Sequence, residues 1–162
     1  MSIDPAFLGR REIATAEAME QLGLSIGEQL QPGDLLVLTG PLGAGKTTFT
    51  RGLAEGLGVR GPVQSPTFVI ARTHPSLVGG APLVHVDAYR LGSAAELDDL
   101  DIDFARSVVV IEWGRDMADA VADAWWDIEL ERPIGAGADA VADEDLDADA
   151  PRMVTITRVE RG

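Results

Sequence analysis

The feature that most constrains this chain is a glycine-rich segment placed between a short apolar run and a helical pattern. Residues 40–47 read Gly-Pro-Leu-Gly-Ala-Gly-Lys-Thr, which matches the phosphate-binding pattern G-x-x-x-x-G-K-[ST]. The apolar run at residues 35–39 is suited to a buried strand. After the segment, Phe49 and Leu53 recur at helical spacing, and Gly58 stands where a helix would end. A strand, a glycine-rich turn and a helix in this order aim backbone N–H groups at one anion, so the sequence predicts a nucleotide-phosphate site.

Individual residues of this segment have distinct predicted roles. Lys46 is the only lysine in the chain and is expected to reach the β- and γ-phosphates as a point charge. Thr47 is expected to offer its hydroxyl to a Mg²⁺ that bridges those phosphates. Thr48 is either a ligand of the α-phosphate or a local helix cap. The backbone is expected to wrap the phosphates at three consecutive positions, Gly43, Ala44 and Gly45.

Composition excludes several classes of site. None of the 162 residues is cysteine, so disulfides, thiolate metal sites and thiol catalysis are excluded. No asparagine occurs either, so the Asn-Lys-x-Asp motif with which GTPases read guanine is absent and ATP is the expected nucleotide. The two histidines are far apart in sequence, which argues against a zinc site. The formal net charge of −14 argues against unaided binding to a nucleic-acid backbone, so any RNA would be reached through a partner.

Length and hydropathy predict one cytoplasmic domain. A chain of 162 residues corresponds to a single domain, and neither a signal peptide nor an apolar span of ~20 residues is visible. Residues 1–10 carry little pattern and are expected to form a loose arm. Residues 135–150 are rich in Ala, Gly and Asp and contain no basic residue. We expect them to form a disordered hairpin loop.

The segments at the two ends of the chain predict strands and a helix. Residues 12–14 are predicted to form a short edge strand, and Thr15 is expected to cap the helix that follows. The apolar stripe of that helix consists of Met19, Leu22, Ile26 and Leu30. Residues 126–131 and 153–158 alternate apolar and polar side chains, which predicts two strands with one wet face each.

Two further predicted strands end in acidic residues. The first is predicted at residues 83–90, where His85, Asp87 and Tyr89 share one face. An aspartate at the end of a hydrophobic strand is what a Mg²⁺ shell requires beside a phosphate loop, although such a pattern also arises by chance. The second strand, residues 108–111, is apolar on both faces like an interior parallel strand, and it ends at Glu112. Open α/β sheets bind ligands at this end of their strands, but an ordinary surface glutamate is the alternative.

The proline-bounded segment at residues 61–68 predicts an ordered loop with two open roles. It is either a capped turn or a switch-like loop in which Ser65 or Thr67 senses Mg²⁺ or the γ-phosphate. Residues 68–71 then read as a strand.

Two more segments have simpler predictions. Residues 74–82 are typical of a hairpin connection, in which His74 is expected to be solvated. The acidic stretch at residues 94–103 is either a solvated face or a partner patch, and a solvated face is favoured.

Taken together, these motifs resemble those of one bacterial family, the TsaE (YjeE) ATPases of tRNA threonylcarbamoyladenosine biosynthesis. The phosphate loop by itself is generic, whereas its combination with three other motifs in this order and spacing is specific. The resemblance covers nearly the whole chain apart from the arm and the acidic loop. The motifs are residues 42–49 with 51–53, Ser-Pro-Thr-Phe at 65–68, His-Val-Asp-Ala-Tyr-Arg at 85–90, and Glu-Trp at 112–113.

The resemblance implies a small P-loop ATPase of the α/β class. Its mixed, mostly parallel central sheet would be flanked by helices, and the residues themselves predict a C-terminal antiparallel hairpin. The resemblance also implies action with two partner proteins, TsaB and TsaD, in modifying adenosine beside certain tRNA anticodons. The implied Mg²⁺ and hydrolysis site contains Thr47, Asp87 and Glu112. Thr67 would lie in the switch-like loop and Trp113 near the nucleotide.

The chain departs from the family pattern at two places. Pro41 stands where the family often has an acid, which hardly affects the phosphate contacts. Gly114 and Arg115 follow Glu-Trp where the family often has another acid. This second departure puts in doubt any role assigned just beyond Trp113.

The expected chemistry is attack of a water molecule on the γ-phosphorus of ATP. Lys46 supplies charge, Asp87 is expected to hold a Mg²⁺-bound water, and Glu112 to orient the attacking water, although the two acids could exchange roles. An arginine acting in cis would be Arg90 or Arg51, unless a partner supplies one. A small-molecule P-loop kinase is the rival reading, but such enzymes close an arginine-rich lid and the corresponding loops here are acidic or short. A nucleotide-gated binding module whose hydrolysis acts as a timer is a third reading.

Overall fold

The computed structural model describes residues 3–41, 43–61, 63, 70–132 and 151–161. Within these ranges the strands are β1 (Gly9–Ile13), β2 (Leu35–Thr39), β3 (Ala71–His74), β4 (Leu83–Asp87), β5 (Val108–Glu112), β6 (Ala124–Glu131) and β7 (Arg152–Glu160). The α-helices are α1 (Ala16–Gly27), α2 (Lys46–Leu57), α3 (Ala94–Asp98) and α4 (Ala118–Val121). Each of these helices is too short or too polar to span a lipid bilayer.

The described strands form one mixed sheet in the order β1-β7-β6-β2-β5-β4-β3. The four central strands, β6, β2, β5 and β4, run parallel to one another. Antiparallel pairs complete the sheet on both sides: β3 joins β4, while β7 pairs with both β6 and β1. The α/β class, the central parallel strands and the C-terminal antiparallel hairpin of β6 and β7 are therefore as predicted.

Helices cover both faces of the sheet. Alternate side chains of a strand point to opposite faces, and along β2 Leu36 packs in the core on the α1 and α2 side while Val37 packs on the other. On the first side the largest buried contribution from α2 is Phe49, and on the second α3 contributes Leu97. Strands buried on both faces explain why β2 and β5 read as continuous apolar runs.

Helices α1 and α2 lie closer together than helices with ordinary side chains could. Four glycines allow this approach: Gly23, Gly27, Gly52 and Gly56. A Cβ atom on Gly23 would stand 2.2 Å from the carbonyl oxygen of Phe49, and one on Gly52 would stand 2.0 Å from that of Glu20. Since real Cβ contacts are essentially never so short, the backbones themselves form the interface, and the apolar stripes of the two helices do not indicate it.

The helices next to the phosphate loop begin and end as predicted. The Thr15 hydroxyl accepts a hydrogen bond from the Ala18 N–H at 3.0 Å and so caps α1. Helix α2 ends at Gly58, whose φ of +77° is the left-handed conformation that glycine adopts without strain. Helix α3 lies within the acidic stretch, whose acidic side chains are exposed, as both a solvated face and a partner patch require; they are Glu96, Asp98, Asp99, Asp101 and Asp103.

The N-terminal segment differs from the predicted loose arm. Ile3 is fully buried in the core on the α1 and α2 side, and the strand predicted at residues 12–14 begins earlier, at Gly9. Pairing with β7 holds β1 at the edge of the sheet. Ile3, the partly buried side chains of Phe7 and Leu8, and one strand partner thus anchor a stretch that carries no periodic pattern.

The strand predicted at residues 68–71 is wrong in position. Strand β3 begins at Ala71, where the predicted strand was to end, because Ile70 has a φ of +68°, which lies outside extended backbone. Phe68 and Val69 fall outside the described residues, as do residue 62 and residues 64–67 of the predicted switch-like loop and the whole acidic loop at 135–150.

Two further side-chain predictions are wrong. His74 was expected to be solvated, but it is the last residue of β3, is buried, and its Nδ1 lies 2.9 Å from the carbonyl oxygen of Arg60. Tyr89 was expected to share a strand face with Asp87, but β4 stops at Asp87 and a 3-10 turn, Ala88–Arg90, follows. The Asp87 carboxylate accepts the Tyr89 N–H at 3.0 Å and so ends the strand.

Candidate nucleotide-phosphate site

The predicted phosphate loop joins β2 to α2. Gly43 and Gly45 have φ values of +81° and +106°, a region in which a side chain would be strained. The Ala44 N–H donates to the carbonyl oxygen of Pro41 at 3.1 Å, which closes the turn. Leu42 lies outside the described residues. At these two positions the loop therefore adopts a backbone conformation that favours glycine.

Lys46, the first residue of α2, turns its ammonium group back towards the end of the sheet. Its Nζ donates to the carbonyl oxygen of Gly40 at 2.7 Å, lies 3.8 Å from Oε1 of Glu112, and lies 4.1 Å from the centroid of the Trp113 ring. The side chain is 9% exposed. Burial lowers the pKa of this ammonium from its ordinary value, while the carboxylates of Glu112 and Asp87 act in the opposite direction. A cation held over an aromatic face and beside a carboxylate is a compact electrostatic cluster.

The two strand-end acids lie side by side. Asp87 closes β4, Glu112 closes β5, and the two are partners in the parallel register. Both are buried, and both extend the strand face that carries Leu83 and Val108 on the α1 and α2 side. Glu112 is thus not the ordinary surface residue that the sequence left open. One of its oxygens, Oε2, lies 2.6 Å from Nε2 of His85.

Trp113 sits on a strained turn directly after Glu112. Its φ of +63° is rare for a bulky residue, and its N–H donates to the carbonyl oxygen of Leu38 at 3.0 Å. Gly114 permits the turn, since a Cβ there would stand 2.3 Å from Cγ2 of Ile111. The indole is 38% exposed and packs edge-on against the more exposed ring of Tyr89, with centroids 5.7 Å apart. The strain holds an aromatic face over Lys46 at the mouth of the site.

The remaining predicted residues have varied outcomes. Thr47 and Thr48 lie half-buried in the first turn of α2, next to the loop as expected. Thr67 lies outside the described residues. Of the two arginines considered for action in cis, Arg51 donates its Nε to the carbonyl oxygen of Val63 at 3.3 Å, and Arg90 ends the 3-10 turn after β4.

Two other arginines, which the sequence analysis did not single out, flank the phosphate loop. Arg152 at the start of β7 donates its Nη2 to the carbonyl oxygen of Gly43 at 3.0 Å. Nη1 of Arg132, just after β6, lies 3.3 Å from the point where a Cβ on Gly43 would stand. The only signal in the sequence is that both residues border the acidic loop. Their approach to residue 43 depends on the antiparallel pairing of β6 with β7.

Arg115, one of the departures from the family pattern, is engaged away from Lys46. Its guanidinium forms a two-point pair with Asp127 on β6, with Nε–Oδ1 and Nη2–Oδ2 distances of 3.1 and 2.8 Å. The hydrogen bonds to Asp127, with a smaller contribution from Glu129, raise the pKa of Arg115 above its ordinary value. This arginine therefore ties the turn after Trp113 to the neighbouring strand.

The donor set suits Mg²⁺ better than a transition metal. Asp87 and Glu112 provide carboxylate oxygens and Thr47 a hydroxyl, all hard ligands of the kind that Mg²⁺ takes together with phosphates and water. Across the described ranges, no group of three or more His, Cys, Asp or Glu side chains is arranged to hold a metal ion.

Comparison with known proteins decides the family. The family model for "Threonylcarbamoyl adenosine biosynthesis protein TsaE" matches residues 13–136, more than half of the chain. The chain belongs to the TsaE family.

Several TsaE relatives and one solved structure share most of their length with this chain. The tRNA threonylcarbamoyladenosine biosynthesis protein TsaE of Streptomyces coelicolor is 54% identical over 126 residues, covering 76% of this chain and 85% of its own. That of Mycobacterium tuberculosis is 47% identical over 133 residues, covering 76% and 79%. The crystal structure of Bacillus subtilis YdiB superposes with a TM-score of 0.67 at 30% identity, covering 93% of this chain and 84% of that one. The resemblance to TsaE and the P-loop NTPase fold predicted from the sequence are both confirmed.

Proposed function

We propose that this chain is a Mg²⁺-dependent ATPase that acts, with partner proteins TsaB and TsaD, in the threonylcarbamoyladenosine modification of tRNA. The observation that carries the proposal is the position of Lys46. Its ammonium lies where the phosphate loop meets the buried carboxylates of Asp87 and Glu112. Membership of the TsaE family supports the pathway and favours hydrolysis over the rival small-molecule kinase.

Lys46 and the loop bind the phosphates. The ammonium is held at the carbonyl oxygen of Gly40, one residue beyond β2, so a short side-chain rotation brings it to a phosphate on the loop. The positive φ values of Gly43 and Gly45 form a turn without Cβ atoms, and phosphate oxygens would approach the main chain there. The helix N-terminus at Lys46 adds a favourable field for an anion.

Asp87 and Glu112 divide the remaining work. Mg²⁺, when bound, neutralises charge on the phosphate oxygens, and Thr47 and Asp87 are the residues that would hold it with its waters. Glu112 orients the attacking water, because its Oε1 faces the loop while its other oxygen is engaged by His85. Buried carboxylates suit this task, since phosphoryl transfer depends on positioning and charge.

Membership of the TsaE family supports the proposed partners and location. A small chain with a net charge of −14 reaches tRNA through TsaB and TsaD and works in the cytoplasm. Thr67 lies in the loop that would couple the γ-phosphate to docking, and Trp113 would lie near the nucleotide because it already contacts Lys46. ATP can shift docking only by as much as it favours one state of that loop.

The hydrolysis proposal is tested with the purified chain, ATP and Mg²⁺. Lys46→Ala should lower kcat at least ~10²-fold, as expected when a charge that stabilises the transition state is removed. Arg106→Ala is the matched control, because it removes one cation from an exposed position and should leave kcat unchanged. Equal loss in the two variants, or GTP that competes as well as ATP, would contradict the proposed site.

The pathway proposal is tested in bacteria depleted of their own TsaE. Expression of this chain should restore threonylcarbamoyladenosine in tRNA, measured by mass spectrometry of digested nucleosides, and Lys46→Ala should not. Restoration by both proteins to the same level would separate the pathway role from ATP hydrolysis.

A further inference from the structure

We propose that His85 is a positioning residue that fixes the carboxylate of Glu112, so that one defined oxygen faces the phosphate loop. The inference rests on the proposed function, because it deepens the role given there to Glu112. The sequence places His85 on a strand face and in a motif, and neither assigns it a role of its own.

Sheet register brings the two side chains together. His85 lies on β4 opposite Val110 of β5, and Asp87 lies opposite Glu112. His85 and Glu112 are therefore diagonal neighbours on the same face of two parallel strands. Nε2 of His85 lies 2.6 Å from Oε2 of Glu112, and both side chains are buried, with the imidazole fully enclosed.

The direction of the hydrogen bond follows from chemistry. An ionised carboxylate only accepts hydrogen bonds, so Nε2 carries the proton and donates it. Nδ1 is buried and has no partner among the described residues, so Nε2 is the ring nitrogen that the structure pairs with an oxygen. Apart from the terminal Asp87, the other residues of β4 are apolar, and an imidazole in this strand is costly unless it binds something.

The consequence concerns the orientation of Glu112. The terminal torsion of a glutamate is broad, so an unrestrained carboxylate rotates freely. With Oε2 held by His85, the plane of the carboxylate is fixed and Oε1 is the oxygen directed at Lys46, 3.8 Å from its Nζ. A group that must direct a water needs this kind of support from its neighbours.

The kinetic test compares two replacements of His85. His85→Phe keeps the ring volume and removes the donor, whereas His85→Gln places an amide N–H close to the position of Nε2. We expect His85→Phe to lower kcat for ATP hydrolysis about 10- to 100-fold with KM and the affinity for a non-hydrolysable ATP analogue nearly unchanged. His85→Gln should regain most of that loss. A normal kcat in a folded His85→Phe protein, or a folded His85→Gln protein as slow as His85→Phe, would overturn the proposal.

A double-variant cycle asks whether His85 acts through Glu112. In a Glu112→Gln background the oriented carboxylate is gone, so adding His85→Phe should cause little further loss of kcat. Losses that multiply would mean that His85 serves the fold alone.

A measurement without turnover separates this inference from the proposed function. The chain has two histidines, so ¹⁵N-histidine NMR of the wild type gives two imidazole spin systems, and His74→Asn assigns them. We expect His85 in the Nε2–H tautomer, with a downfield Nε2 proton whose resonance moves upfield in Glu112→Leu. An Nδ1–H tautomer, or a resonance indifferent to Glu112→Leu, would refute the contact even if ATP is hydrolysed. Conversely, absence of hydrolysis with the NMR result intact would sink the ATPase proposal and leave the hydrogen bond standing. The wild-type spectrum also decides the matter if His85→Phe does not fold.

Discussion

At the scale of single residues, the ammonium group of Lys46 is buried although oxygen atoms do not surround it on every side. A main-chain carbonyl, a carboxylate at 3.8 Å and an indole face at 4.1 Å share its charge. None of these partners is a tight ion pair, so the ammonium is free to exchange them for phosphate oxygens. Burial that lowers its pKa is the cost of this arrangement, and negative phosphates would offset it.

Replacing Asp87 or Glu112, the two strand-end acids, by the corresponding amide is expected to impair hydrolysis in different ways. Asp87→Asn should raise the Mg²⁺ concentration needed for half-maximal hydrolysis, because it removes the carboxylate assigned to the metal. Glu112→Gln should keep nucleotide binding and lose kcat by about 10²–10³-fold, because it removes the group assigned to the water. Metal titrations and single-turnover rates of both variants measure the difference. Titrations that overlay the wild type for both would contradict this division.

His74 makes stability depend on pH. Burial lowers the pKa of its imidazole, outweighing the hydrogen bond that Nδ1 makes to the carbonyl oxygen of Arg60. In the unfolded chain the pKa is about 6.5. Between the two values the unfolded state binds more protons, so stability is fully present above about pH 6.5 and falls as pH drops through this window.

His74→Asn isolates this effect, since an Asn amide can still donate to Arg60 and does not titrate. Denaturant unfolding from about pH 7.5 down to about pH 5 should show a stability advantage of the wild type that shrinks on acidification. All carboxylates are common to both proteins, so they cancel in the comparison. A difference in unfolding free energy that stays constant over that range would show that the buried imidazole is not the source.

At the scale of elements, the contact between α1 and α2 controls the placement of the phosphate loop. Helix α2 begins at Lys46, and its glycines press it against α1 with backbone in contact. Met19 on α1 also reaches Gly45, with its Cε 3.2 Å from where a Cβ would stand. Helix α1 therefore holds the phosphate loop in place together with β2, the strand that precedes it.

Gly52→Ala tests that support. A Cβ there would meet the backbone oxygen of Glu20 at 2.0 Å, so the helices must separate. Alanine favours a helix by about 1 kcal/mol over glycine, yet overpacking costs more, and we expect a net loss of about 1–3 kcal/mol of unfolding free energy. Chemical denaturation measures it, and ATP affinity should fall as well.

Gly80→Ala is the matched control for Gly52→Ala. A Cβ at Gly80 would meet only the Ser76 hydroxyl, at an ordinary 3.6 Å, so its stability should change little. Equal effects of the two substitutions would mean that the close helix contact is not what matters.

At the scale of the whole molecule, the negative net charge of this chain opposes direct binding to tRNA. With a formal net charge of −14, the isolated protein should show no measurable binding of bare tRNA at physiological salt. Fluorescence anisotropy with labelled tRNA and up to about 10 µM protein checks this, and adding TsaB and TsaD should produce binding. Micromolar affinity of the chain alone would contradict the division of labour between the partners.

The features of the fold that the sequence predicts are those encoded by short, continuous stretches of residues. The loop at residues 40–47, the flanking β2 and α2, and the strand leading to Glu112 follow from composition and periodicity over short windows. The contacts between His85 and Glu112, between His74 and Arg60, and between Arg152 and Gly43 do not. Each depends on which strands or loops become neighbours in space, and no local pattern specifies that order. Strand β3 is displaced for a different reason: the positive φ at Ile70 lies outside extended backbone, and the residue types at 68–71 do not indicate it.

The pairing of β1 with β7 has a consequence for synthesis of the protein on the ribosome. β1 is hydrogen-bonded to β7 and lies at the edge of the described sheet, so β1 has no strand partner until β7 emerges. At a translation rate of ~5–20 residues per second, that wait is on the order of ten seconds. Arg152, which reaches back to the phosphate loop, arrives at the same late moment. A growing chain therefore carries a phosphate loop that lacks this support until β7 has emerged and joined the sheet.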